Sequence, residues 1–174
     1  MISFDHLFIQ TQAIDSRSPN IDDLACVRHR HKNMTSKTVT KLEIQATSEA
    51  VWSYVTDFSK AAQWMTGVQS LVRLDEGDIG RGSHLHLMSG GRLREVTVSY
   101  WQTGKCFALT AELGDVRTTF TYRIENVAEI SSLELSIECS FSGLKQFLAP
   151  LIRWLIHRRG AKQLPNVKSQ LERL

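Results

Sequence analysis

From Thr38 onward the apolar and polar positions fall into regular periods, whereas residues 1–36 show no sustained one. Val39, Leu42 and Ile44 punctuate TVTKLEIQA, a strand of mixed alternation. In TSEAVWSYVTDF the residues Val51, Trp52, Val55 and Phe58 recur at i, i+1, i+4 and i+7, one face of a helix. Thr47 or Ser48 suits its N-cap, and Glu49 complements the positive end of the helix dipole. Ser59 suits the cap of a second short helix, KAAQWM, which ends near Gly67.

Beyond Gly67 the period changes to two. VQSLVRL, HLHLM, RLREVTVSYW, KCFALTAEL, VRTTFTYRIENV and LELSIECSF read as six strands, separated by short polar or Gly-rich turns such as SGG and QTG. Connections that short join only antiparallel neighbours. Alternation then assigns faces. Leu85 and Leu87 oppose His84 and His86; Val96, Val98 and Tyr100 oppose Glu95, Thr97 and Ser99. Phe107, Leu109 and Ala111 oppose Cys106, Thr110 and Glu112; Thr118, Phe120 and Tyr122 oppose Thr119, Thr121 and Arg123. In the last strand Leu135, Ile137, Cys139 and Phe141 share the apolar side. A sheet apolar on one face needs a cover. The closing segment supplies it, with Leu144, Phe147, Leu148, Leu151, Ile152 and Leu155 at helical spacing. Pro150 falls in the first turns of that helix, and Gly160 and Pro165 are expected to kink or break it before VKSQLERL.

The 174-residue length suits one domain of about 140 residues, taken as 37–174, preceded by an extension over 1–36. Met34 stands just before the patterned region, so the first 33 residues also read as a product of start-codon choice. RHRHK (28–32) offers His29 and His31 at strand spacing for a metal, but no third ligand lies in reach, and no metal is expected. No apolar run reaches the length of a membrane-spanning helix. The net charge of +3 is too mild to mark a nucleic-acid binder. Its distribution says more: residues 145–174 hold seven basic side chains against one carboxylate, a net of +6, while residues 34–144 carry ten against thirteen, a net of −3. Three widely spaced cysteines, Cys26, Cys106 and Cys139, argue against a disulfide framework. With no basic apolar leader in MISFDHLFIQ, they point to a reduced, cytoplasmic setting.

The order β–α–α–β6–α, with its longest helix last, resembles the START-like superfamily (SRPBCC), in particular its polyketide cyclase/dehydrase and lipid-transport group. The resemblance spans about residues 38–174. It rests on IQATSEAVWSYVTDF (44–58), on WMTGV (64–68) and on GDIGRGS (77–83), with Thr66 where proline is common. The closing L-x-x-L-E-like helix end is echoed by Val167–Leu171 and Glu172. The resemblance implies an α+β helix-grip fold. A curved seven-stranded antiparallel sheet would wrap around a long C-terminal helix, with two short helices between strands 1 and 2 and a cavity between sheet and helix. Members of that group bind sterols, phospholipids, quinones or polyketides, and some are enzymes.

The apolar lining expected for such a cavity is Leu85, Leu87, Val98, Phe107, Leu109, Phe120 and Phe141 from the sheet, with Leu148 and Ile152 from the helix. Arg94, Tyr100, Thr118 and Tyr122 are the polar members of the inward alternation and the candidates for orienting a ligand's polar end. Trp64, in the second helix, would edge the cavity mouth by the same resemblance. Trp52 reads as core packing and Trp101 as a residue of the wet face, while Trp154 lies between two apolar rows. His84 and His86 read as exposed strand histidines, and Cys139 as an inert buried thiol. No nucleophile elbow, HExxH or phosphate loop appears, and GDIGRG precedes a strand rather than a helix, so no catalytic residue and no cofactor is expected.

The leading expectation is therefore binding, with transport as an extension of it, of a hydrophobic small molecule or lipid. A cyclase- or dehydratase-like enzyme is the alternative, with Tyr100, Tyr122 or Arg94 polarising a carbonyl. A third reading is a module that meets a membrane or an anionic partner through Arg158, Arg159 and Lys162. Monomer and homodimer both remain open.

Overall fold

The structure is a computed structural model. It describes residues 35–127, 130–141 and 162–173, together with Trp154, Arg158 and Gly160. Seven strands form one antiparallel sheet: β1 (Thr35–Ile44), β2 (Val68–Arg73), β3 (His84–Ser89), β4 (Arg92–Gln102), β5 (Cys106–Leu113), β6 (Val116–Val127) and β7 (Ile130–Phe141). Their spatial order is β1-β7-β6-β5-β4-β3-β2. Consecutive strands from β2 to β7 are neighbours, as the short turns require. The long connection from β1 to β2 carries α1 (Ser48–Thr56), a 3-10 turn (Phe58–Lys60) and α2 (Ala61–Trp64); α3 (Gln163–Leu171) closes the chain. A curved sheet with two short helices between its edge strands and a C-terminal helix is the helix-grip arrangement that the resemblance implied.

Local chemistry explains the element ends. Thr47 has extended backbone and its hydroxyl oxygen accepts from the Ala50 N–H at 3.2 Å, capping α1. Asp57, rather than Ser59, opens the second helical stretch: its carboxylate accepts from the Ser59 N–H at 3.3 Å. The hydroxyl of Ser59 and the Lys60 ammonium hold that carboxyl below its ordinary pKa. Between β3 and β4 the two-residue turn is Gly90–Gly91, with φ of 59° and 69°. Positive φ at both positions is the primed hairpin geometry that matches strand twist, and glycine adopts it without a Cβ penalty. Pro165 sits in the first turn of α3, where its missing N–H would have had no helical partner. Gly160 is helical and Lys162 lies in a turn, so α3 begins two residues ahead of Pro165.

Register divides the sheet into an inward and an outward face. Phe107 faces Tyr122, which faces Leu135; Leu109 faces Phe120, which faces Ile137. All lie inward, and the core gathers them with Val51, Val55, Phe58 and Ala61 of the α1–α2 segment and with Leu164 and Val167 of α3. The outward face is wet and carries exposed ion pairs, Lys41–Glu125 at 2.8 Å and Arg117–Glu112 at 3.0 Å among them. Exposed pairs of this kind contribute about 0–1 kcal/mol each, so burial of the inward face dominates stability. His84 and His86 lie outward, as alternation placed them, with His84 Nδ1 2.9 Å from Glu95 Oε1. Cys106 is disulfide-bonded, which departs from the expectation of reduced thiols throughout.

Candidate functional site

The inward face has two regions of different character. Under α1 and α2 it is a closed aromatic cluster. Phe107 stacks on Tyr122 at 4.8 Å and 16°, Trp64 meets Tyr122 edge-on at 5.5 Å and 90°, and Trp52 meets Trp101 at 5.0 Å. Edge and stacked pairs at these separations add about 0.5–1.5 kcal/mol each beyond area burial. Trp64 and Tyr122 are both 0% exposed. The Tyr122 hydroxyl donates to Gln163 Oε1 of α3 at 2.6 Å, and Asn166 Nδ2 donates to the Trp64 carbonyl at 3.2 Å, which fixes α3 against this cluster. Complete burial pushes the pKa of the Tyr122 phenol far up. Two polar atoms beside the cluster, Trp64 Nε1 and Thr66 Oγ1, are buried without a hydrogen-bond partner.

Toward the other end of the strands the inward face opens. Leu87, Arg94, Ala111, Val116 and Phe120 are all inward by register, yet each keeps accessible surface. Around them Leu85, Val96, Val98, Leu109, Thr118 and Phe141 are buried. Arg94 pairs across with Leu87, so it brings a guanidinium to the margin of an apolar surface. Thr118 accepts from the Cys139 thiol at 3.7 Å, which engages the one inward hydroxyl of this region that the sequence singled out. Among the described residues no group of three or more His, Cys, Asp or Glu side chains is placed to hold a metal.

Three sequence placements change. Tyr100 was expected inward and Trp101 outward. A bulge between Val98 and Tyr100 reverses them: Val98 faces Leu109, but Tyr100 faces Ala108 and Trp101 faces Phe107. One extra residue, Ser99, flips the parity of everything after it. Tyr100 consequently lies outward, its hydroxyl donating to Gln102 Oε1 at 3.2 Å, and Trp101 joins the core. Trp64 is a core residue rather than part of a rim, because α2 packs its indole onto Tyr122. Trp154, unplaced by the sequence, is 56% exposed. Leu148 and Ile152 lie outside the described residues. Sequence reasoning missed Gln163, since a polar residue between Lys162 and Leu164 carries no mark of burial. It also missed Trp101, although adjacent aromatics in VSYWQ leave the parity of that strand open.

The sequence model for polyketide cyclase/dehydrase and lipid transport proteins matches residues 35–172. The chain belongs to this family. No curated protein sequence matches it. Among solved structures it is similar to a START superfamily protein from Mycobacterium smegmatis, at 16% identity and a TM-score of 0.65, over 79% of this chain and 97% of that one. The Zhui aromatase/cyclase from Streptomyces sp. R1128 gives 14% identity and a TM-score of 0.67, over 80% and 94%. TTHA0849 from Thermus thermophilus gives 16% and 0.62, over 78% and 97%. At these identities the likeness is one of fold, and the fold is shared by binding proteins and enzymes alike.

Proposed function

We propose that this family member binds a hydrophobic small molecule or lipid on the open region of its inward face, with transport as one use of that binding. The observation that carries this reading is the accessible apolar surface at Leu87, Ala111, Val116 and Phe120 on the concave side of a sheet otherwise buried there. Removing about 200 Å² of apolar surface from water is worth about 5 kcal/mol before association costs, whereas one hydrogen bond nets about 1 kcal/mol. Apolar contact therefore holds the ligand, and Arg94 orients it. Burial of a guanidinium needs an acceptor, so the ligand end at Arg94 is a carbonyl, hydroxyl or carboxylate oxygen. Leu85, Val98, Leu109 and Phe141 form the floor beneath, and Phe107, Thr118, Trp64 and Tyr122 support that floor.

The catalytic alternative is weaker on the same geometry. Of its three polarising groups, Tyr100 faces outward and Tyr122 already donates its hydrogen bond to Gln163, which leaves Arg94. Arginine is not an acid–base catalyst near neutrality.

Native mass spectrometry of the purified protein, with solvent extraction, is expected to find a carried apolar molecule. The probe 8-anilino-1-naphthalenesulfonate, apolar with one anionic end, is expected to bind and raise Tm. Ala111→Phe, which fills the open region, and Arg94→Met, which removes the anchor, should each weaken it about tenfold or more. Absence of both a carried molecule and a probe-dependent Tm shift would overturn the reading.

A further inference from the structure

We propose that the outward side of the C-terminal segment is a docking surface for an anionic lipid bilayer. Trp154, Arg158, Lys162 and Pro165 are spaced i, i+4, i+8 and i+11, and all are exposed. Gly160, Leu164 and Val167 fall on the complementary spacing and are buried. Gly160 is pressed so close to the sheet that a Cβ there would overlap Ile137 Cδ1. Among the described residues of this segment, Gly160, Leu164 and Val167 are committed to the protein, and Trp154, Arg158 and Lys162 present an indole and two cations to the outside.

Trp154 is unlike the other tryptophans: Trp52, Trp64 and Trp101 belong to the core or pack against it. The Arg158 guanidinium lies over the Trp154 ring at 5.4 Å. A large aromatic beside a cation suits the headgroup level of a bilayer, where one part of the pair meets acyl chains and the other meets phosphates. The stripe ends at Pro165, which lines an open groove of about 480 Å³ with Leu42, Lys168, Ser169, Glu172 and Arg173, two cations against one carboxylate.

Charge sets the orientation. The net of +6 over residues 145–174 is drawn to an anionic leaflet, while the net of −3 over residues 34–144 turns the sheet away from it. A duplex nucleic acid would use the cations and leave the indole idle, which favours the lipid surface. The inference stands apart from the proposed ligand: it rests on the opposite side of the C-terminal segment.

The test is co-sedimentation of the full chain with vesicles of phosphatidylcholine alone and of phosphatidylcholine with phosphatidylglycerol in equal parts. Binding is expected to the anionic vesicles only, and to weaken with salt. The triple variant Arg158→Glu, Lys162→Glu, Arg173→Glu should lose about 100-fold or more, since each basic side chain near the surface contributes about a fivefold gain. Trp154→Ala should lose several-fold. These positions are exposed, so circular dichroism should show unchanged folding, and Ala111→Phe should bind vesicles as the parent does. Equal retention on neutral vesicles would overturn the proposal. So would anionic binding that survives both surface variants, or equal affinity for duplex DNA at matched salt.

Discussion

Tyr122 concentrates several constraints on one side chain. Its ring is stacked on Phe107 and capped by Trp64, and its hydroxyl is the only donor placed on Gln163 Oε1 among the described residues. Tyr122→Phe keeps the ring and strands that oxygen in a buried position, so it should cost about 1–3 kcal/mol in urea denaturation, the penalty for an unsatisfied buried acceptor. Gln163→Leu in the same background removes the stranded amide and should recover part of the loss. The phenol also predicts a pH response. Burial raises its folded-state pKa above the ordinary 10.0. The unfolded chain therefore releases this proton first, and the contribution of Tyr122 to stability is present below pH 10 and lost as pH rises beyond it. Tyr122→Phe should show a shallower alkaline loss of stability than the parent, and identical slopes would contradict the assignment. The sequence marked Tyr122 as inward through simple alternation. Its partner was not legible, because the pairing joins residues 41 positions apart through the docking of α3.

At the scale of the element, β4 decides which aromatics belong to the core. Ser99 is the bulged residue, and its hydroxyl reaches the Ala108 carbonyl at 3.4 Å and accepts from Thr110 Oγ1 at 2.8 Å. The bulge turns Trp101 into contact with Trp52 and leaves Tyr100 outside. Replacement by alanine should separate the two. Trp101→Ala should cost about 2–3 kcal/mol, less than a fully buried tryptophan because the residue is half-buried. Tyr100→Ala should cost under about 1 kcal/mol, as for other outward positions. A larger effect at Tyr100 than at Trp101 in the same denaturation series would mean that the strand keeps unbroken alternation. Element type was readable from period alone. The bulge was not, because its cause is cross-strand hydrogen bonding to β5, and nothing within VTVSYW requires it.

At the scale of the molecule, the seam between the C-terminal segment and the sheet sets how close the two can come. Gly160 lies against Ile137, with Leu135 Cδ2 3.9 Å from where a Cβ would be. Ile137 Cδ1 is the end of a side chain and can rotate, at a rotamer cost of about 1 kcal/mol. Alanine in place of glycine in a helix returns a similar amount. Gly160→Ala should therefore fall within about 1 kcal/mol of the parent. Gly160→Leu cannot be relieved by one rotation and should cost about 3 kcal/mol or more by overpacking. Thermal denaturation of the two variants measures the seam directly: equal Tm values would mean that no close approach exists.

The sequence by itself determined the six-strand series after Gly67, the antiparallel order, a helix capped at Thr47 or Ser48 and the apolar side of the sheet. Each of these follows from periods and turn residues confined to a few neighbouring positions. Only the tertiary structure decided that Trp101 is inside and Tyr100 outside, that Trp64 is core rather than rim, that Gln163 answers Tyr122, and that Phe120 is half-buried while its neighbour in register, Leu109, is buried. Those outcomes depend on register between distant strands and on how closely the helices seat. Both are set by contacts between residues far apart in the chain, where local pattern carries no information.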